Sequence, residues 1–210
     1  MGVENMLELT YRGNKLGENV DDFGELRPSN DILGNGNALR ERMIEDGYLY
    51  LSGLLDKDEA LEARREIMGR LDAMGAVDDQ YPLMEGVYKP DNRTGGMNDF
   101  TKNNPPLMQV LYSGPMIRFY ETLLDGPVAH FDYTWFRVKT PGVASPTTPH
   151  CDIVYMGRGT TNLYTSWTPL GDVPYEMGGL MLLENSHRKE HLRNSYGQTD
   201  GDKYCNDEEA

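Results

Sequence analysis

The stretch Thr148-Pro149-His150-Cys151-Asp152 places an imidazole and a carboxylate two residues apart. On a β-strand, residues i and i+2 stand on one face, about 6–7 Å apart along the chain, so His150 and Asp152 can converge on one ion. A neutral nitrogen donor beside a hard oxygen donor suits a borderline divalent ion such as Fe(II). By the same alternation Cys151 points to the opposite face, where it is expected to pack rather than to ligate. The spacing alone is weakly specific: four histidines and 34 acidic residues generate such pairs by chance. The competing interpretation is a strand histidine that its neighbouring Asp merely orients, or an Asp that faces solvent.

The elements that must position this pair are read from periodicity. Residues 1–37 are polar and rich in Gly and Asn, as in an N-terminal arm. A short helix follows, with Leu39, Met43 and Ile44 on one face and a stop at Gly47; residues 48–51 alternate like a strand. Asp56 opens the clearest helix, with Glu59 three residues on as a capping box requires. Its stripe is Ala60, Ala63, Ile67, Leu71 and Met74, and Glu62, Arg64, Arg65 and Glu66 lie off it as a solvated face. Residues 76–106, dense in Pro, Gly, Asn and Asp, read as a long connection, either a lid or a partly disordered loop. A second helical region spans 106–124, broken at Ser113-Gly114-Pro115, with Leu107, Val110, Leu111, Phe119 and Leu123 apolar. Beyond Gly126-Pro127 the pattern changes to short β-segments at 128–139, 150–156, 162–170 and 180–183, separated by turn signals such as Pro141-Gly142 and Gly178-Gly179. Closely spaced short strands predict an antiparallel sandwich or barrel. Residues 197–210 read as a polar, acidic tail or mobile loop.

Composition bounds the partners. The 210 residues suffice for one sizeable domain with a core. A net charge of −14 argues against nucleic acid and against an anionic membrane surface, and says nothing about a small-molecule substrate. Two cysteines, Cys151 and Cys205, cannot build a disulfide framework, and a reducing, cytoplasmic compartment fits them. The opening MGVENMLELTYRGNKLGENV has no apolar signal region, and no apolar run approaches the roughly 18–20 residues that span a bilayer.

Several segments, in order, resemble the phytanoyl-CoA dioxygenase family of Fe(II)- and 2-oxoglutarate-dependent oxygenases. Glu45-Asp46-Gly47-Tyr48-Leu49-Tyr50-Leu51-Ser52-Gly53-Leu54-Leu55 with the capped helix after it is similar to the family's N-terminal element. Trp135-Phe136-Arg137-Val138-Lys139-Thr140-Pro141 resembles the strand leading into the metal motif, and Pro149-His150-Cys151-Asp152 resembles the motif itself. Trp167-Thr168-Pro169-Leu170-Gly171-Asp172 resembles the next core strand. Residues Met177 to Arg188 resemble a hairpin ending in a Gly-Ser-His turn, with Asn185 where Gly is common. The resemblance covers residues 39–193.

It implies a mainly β fold with flanking helices, a double-stranded β-helix of the jelly-roll or cupin kind over residues 38–196. It implies iron on two histidines and one carboxylate, with His150 and Asp152 as two of the three ligands. Three open positions would accept 2-oxoglutarate and then O₂; decarboxylation to succinate and CO₂ would supply the oxidant that hydroxylates a bound small molecule. Arg137 falls where the family places a 2-oxoglutarate contact, and a guanidinium suits a carboxylate; a surface salt bridge is the alternative. Trp167 and Trp135 would line the same pocket, with core packing as the other role for Trp167.

The family's distal histidine and its 2-oxoglutarate-binding arginine come after the Gly-Ser-His-type turn. His187 sits in that turn, His191 follows in a polar helix-like run, and His130 precedes the motif. The expectation is therefore that the third ligand and the arginine lie beyond residue 210, on C-terminal strands not present in this chain. The alternatives from other classes are a non-catalytic jelly-roll binding protein that has lost the full triad, and a cupin-like metal enzyme with another reaction.

Overall fold

A computed structural model of the chain describes residues 9–16, 23–89, 100–131, 134–138, 146–157, 159–160 and 162–201. A small hairpin pairs β1 (Thr10–Tyr11) with β2 (Asn14–Lys15). Four helices carry the bulk of the fold: α1 (Gly36–Asp46), α2 (Lys57–Ala73), α3 (Pro105–Tyr112) and α4 (Gly114–Leu124). Two short helices follow, α5 (Ile153–Met156) and α6 (Glu190–Asn194), with 3₁₀ turns at Ser186–Arg188 and Tyr196–Gln198.

The helix starts are set by side chains that take up orphan backbone donors. Asn35 Oδ1 accepts from the Ala38 amide ahead of α1, and Asp56 Oδ1 accepts from the Asp58 and Glu59 amides ahead of α2. Asn104 Oδ1 accepts from the Leu107 amide ahead of α3, and its Nδ2 donates to the Phe100 carbonyl. Pro115 near the start of α4 fits a first turn that needs no amide donor. The predicted break at 113–115 is thus the joint between α3 and α4.

Two apolar clusters hold the helices together. Ala63, Ile67 and Leu71 of α2 meet Leu107 and Val110 of α3, with Ala76, Val77 and Phe100 completing the cluster. Leu39 of α1 meets Phe119 and Leu123 of α4 in the second. The predicted α2 stripe is therefore the buried face at its centre, while Met74 at its end is 37% exposed. Within the described parts of the 76–106 connection, Ala76, Val77 and Phe100 are buried in the core, and Val77 and Tyr88 form an antiparallel bridge. Arg64, read as part of a solvated face, is half-buried; its Nη2 donates to the Met84 carbonyl and its guanidinium abuts Gly171.

The expectation of a mainly β fold is overturned. Among the described residues the one sheet is the β1–β2 hairpin, and the remaining bridges are isolated: Pro28 with Tyr50, and Val77 with Tyr88. Residues 48–51 thus contribute one bridge and no ladder, and the described residues of 128–183 hold no strand. The alternation itself is present. In residues 134–138 Phe136 and Val138 turn inward onto the first cluster while Trp135 and Arg137 turn outward. A period of two sets which face is apolar; a sheet also requires a partner strand about 4.8 Å away to receive the amides and carbonyls. Here the inward face rests on helices instead, through Phe136, Val138 and Leu170. Leu180, Met181, Leu182 and Leu183 are exposed. The expectations for Lys139, Pro141-Gly142, Cys205 and most of the 197–210 tail lie outside the described residues.

Gly47 ends α1 in the left-handed conformation (φ 80°), and its amide donates to the Met43 carbonyl. The 3₁₀ turn at Ser186–Arg188 docks on this end. His187 Nε2 donates to the Ile44 carbonyl at 3.1 Å, and Arg188 Nη2 donates to the same oxygen at 3.0 Å. Both place positive or donor character at a helix C-terminus, where carbonyls lack partners. A Cβ on Gly47 would meet the His187 ring. Gly47→Ala is expected to destabilise the chain by about 1–3 kcal/mol, from the positive φ together with displacement of His187. Urea denaturation of the two proteins measures it, and Gly53→Ala, which has a positive φ but open space around it, separates the two contributions.

Candidate metal centre

His150 and Asp152 are brought together, though not on a strand. Residues 146–150 are exposed and lie outside any helix or strand. Asp152 stands at the residue before α5, and its carbonyl accepts from the Tyr155 and Met156 amides. His150 Nδ1 lies 2.7 Å from the Thr148 carbonyl. A carbonyl only accepts, so Nδ1 carries the proton and Nε2 is directed elsewhere. It points to Asp152 Oδ1, 3.2 Å away.

That arrangement has two chemical readings. With a second proton on the ring, the pair is an ion pair between partly exposed groups, worth little in stability. With a neutral ring, Nε2 and Oδ1 are two electron-pair donors facing one space, which favours a cation between them. Two ligands bound cis at about 2.1 Å in octahedral geometry lie about 3.0 Å apart, so the separation observed is that of one edge of such a site. The anchoring of Nδ1 on a carbonyl is the outer contact that orients a ligating imidazole. The pair therefore fits a divalent ion as two of its ligands. Among the described residues no third His, Cys, Asp or Glu joins them in a group that could complete a metal site.

The other sequence-predicted residues stand as follows. Cys151 is exposed rather than packed, because the chain turns into α5 instead of continuing as a strand. Trp135 and Arg137 share the outward face of residues 134–138, as alternation predicts, and Arg137 Nη1 donates to the Phe136 carbonyl. Trp167 is 52% exposed on the extended segment 162–169. His187 is engaged at the end of α1, His130 stacks on Tyr112 with ring centroids 4.1 Å apart, and His191 is exposed on α6.

Sequence reasoning missed two tyrosines. The Tyr155 ring meets His150 edge-on, with centroids 6.1 Å apart and the planes at 74°. Its hydroxyl lies 3.4 Å from that of Tyr196. Burial, then the hydrogen bond with Tyr155, pushes the Tyr196 hydroxyl up to about 12, against an opposing hydrogen bond with the Cys151 backbone; it stays protonated far above neutral pH. Read as a strand, the segment puts Tyr155 on the face away from His150. Read as a helical turn, it brings residue 155 back beside residues 151 and 152.

A pair presenting one nitrogen and one oxygen donor to a common space, beside a short helix packed against the Tyr196–Gln198 turn, defines a candidate mononuclear metal centre. The model of the phytanoyl-CoA dioxygenase family matches residues 43–210, and this chain belongs to that family. It is similar to a protein of Streptomyces exfoliatus named 1-deoxypentalenic acid 11-beta-hydroxylase, 28% identical over 182 residues, covering 82% of this chain and 60% of the relative. A protein of the same name from Streptomyces arenae is 26% identical over 185 residues, covering 81% of this chain and 61% of its own length. The chain thus spans about three-fifths of the length of these curated relatives. No solved structure matches it. No helix among the described residues is long and apolar enough to cross a membrane.

Proposed function

We propose that this protein is an Fe(II)- and 2-oxoglutarate-dependent dioxygenase that hydroxylates a small molecule and releases succinate and CO₂. The observation that carries this reading is the His150 Nε2 to Asp152 Oδ1 approach of 3.2 Å, with Nδ1 already held by the Thr148 carbonyl, in a member of this family. Hydroxylation as the reaction class draws support from the names of the relatives; at their level of identity the substrate does not transfer.

His150 and Asp152 would hold the iron, which when bound supplies the oxidation chemistry of the reaction. The rest falls to this chain's own groups. The Thr148 carbonyl keeps the proton on Nδ1 and leaves Nε2 as a donor. Asp152 supplies negative charge that offsets part of the ion's own. Arg137 is assigned to the 2-oxoglutarate carboxylate, for which a planar guanidinium is the matching group, and Trp135 and Trp167 to the lining of its pocket. A small organic acid as co-substrate and a reducing, cytoplasmic setting belong to the same reading.

The test is release of succinate from 2-oxoglutarate by the purified full-length protein, with and without Fe(II) and O₂, beside His150→Ala. Succinate that depends on both Fe(II) and O₂, and that disappears in the variant, is the expected result. Succinate release indifferent to His150 would overturn the assignment. Tight cobalt(II) binding with no turnover of 2-oxoglutarate would point to a cupin-like metal enzyme of another kind, and neither binding nor turnover to a binding module.

A further inference from the structure

The segment that follows the Ser186–Arg188 turn comes back to the short helix beside the metal pair. It runs through α6 into the 3₁₀ turn Tyr196–Gln198 and lies along α5. A Cβ on Gly201 would meet the Val154 carbonyl and the Tyr155 backbone, so backbone touches backbone there, as glycine allows. From this segment the Tyr196 hydroxyl reaches the candidate centre at the Tyr155 hydroxyl, 3.4 Å away, and the Tyr155 ring packs edge-to-face with His150.

We propose that Tyr196 is a positioning residue for the metal pair, acting through the Tyr155 hydroxyl on the His150 ring. This rests on the reading of His150 and Asp152 as ligands. The physical basis is that 146–152 is an exposed, irregular segment with no sheet ladder to fix its backbone. An i,i+2 pair on such a segment keeps its 3.2 Å separation only if other contacts restrict the backbone and the ring. The Thr148 carbonyl restricts the ring from Nδ1; Tyr155 restricts it from its edge; Tyr196 ties both to a different part of the chain. Outer contacts of this sort change metal affinity by about 10–100-fold when removed.

The experiment titrates cobalt(II) alone into the whole chain and follows its visible absorption bands. Wild type, His150→Ala, Tyr155→Phe, Tyr196→Phe and the double phenylalanine variant are compared, with near-ultraviolet circular dichroism giving the folded fraction of each. Tyr196→Phe is expected to weaken cobalt(II) binding about tenfold and to alter the band positions and intensities. Tyr155→Phe should do the same, and the double variant should be no weaker than either single one, because the two hydroxyls act as one unit. Wild-type affinity and spectrum in both single variants would overturn the proposal, even with lowered thermal stability, since a merely structural role leaves the bands of the bound ion unchanged. Both variants keep their rings, so one can stand in should the other lose its fold. If His150→Ala itself binds cobalt(II) as wild type does, the ligand reading has failed and the positioning role falls with it.

Discussion

Phe100→Ala is expected to lower the free energy of unfolding by about 3–5 kcal/mol, read as a drop in the urea midpoint. Phe100 is 1% exposed and belongs to the cluster of Ile67, Leu71, Leu107 and Val110. Its ring also meets Phe136 at 5.9 Å between centroids. It is therefore one of the contacts between the α2–α3 pair and residues 134–138, beside the Tyr112–Thr134 hydroxyl pair. Truncation leaves a cavity between the packed helices and residues 134–138 that close packing fills only in part. The backbone around it is already committed: its carbonyl accepts from Asn104 Nδ2 at 2.9 Å and from Arg70 Nη1 at 3.4 Å, while Arg70 also donates to the Lys102 and Asn103 carbonyls at 2.7 Å. Ile44→Ala is the matching control. Ile44 is 71% exposed, so its loss should stay within about 0.5 kcal/mol.

Asp152→Ala should separate the metal from the fold. Binding of Fe(II) or cobalt(II) is expected to weaken by about a hundredfold or more, beyond what outer contacts alone cause. The same variant should leave the urea midpoint nearly unchanged. The Asp152 side chain makes no capping hydrogen bond at the start of α5, and the bonds that begin that turn come from its carbonyl, which alanine retains. Among the described residues its ion-pair partner is His150, and the two side chains are 26% and 37% exposed, a pair of the sort that adds little stability. A variant that loses metal and keeps its midpoint identifies a ligand. One that loses stability and keeps metal affinity would return Asp152 to the competing interpretation, an acid that merely orients His150.

Much of the helical part was legible in the residues. Asp56 with Glu59, the stripe through Ala63, Ile67 and Leu71, and the stop at Gly47 are local signals: one side chain meets one backbone group, or one face repeats every three to four residues. The structure places α1, α2, α3 and α4 where those signals put them, within a residue or two. The position of His150 and Asp152 was legible as well, because an i,i+2 spacing keeps two side chains near each other in extended backbone and across the first residues of a turn alike.

What the residues by themselves determined was therefore the set of local elements, the inward and outward sides of residues 134–138, and a nitrogen and an oxygen donor held close. Whether an alternating segment becomes a strand was decided by tertiary structure alone. The amides and carbonyls of such a segment need a partner that lies far away in sequence, and here the apolar side of 134–138 rests on Phe100 and the helices instead. The same holds for Tyr196. Nothing local connects it to His150, and the backbone contact of Gly201 with α5 brings it there. The docking of His187 on the Ile44 carbonyl, across 143 residues, is of that kind too: a donor and an acceptor each ordinary in sequence, joined only once the chain has folded back on itself.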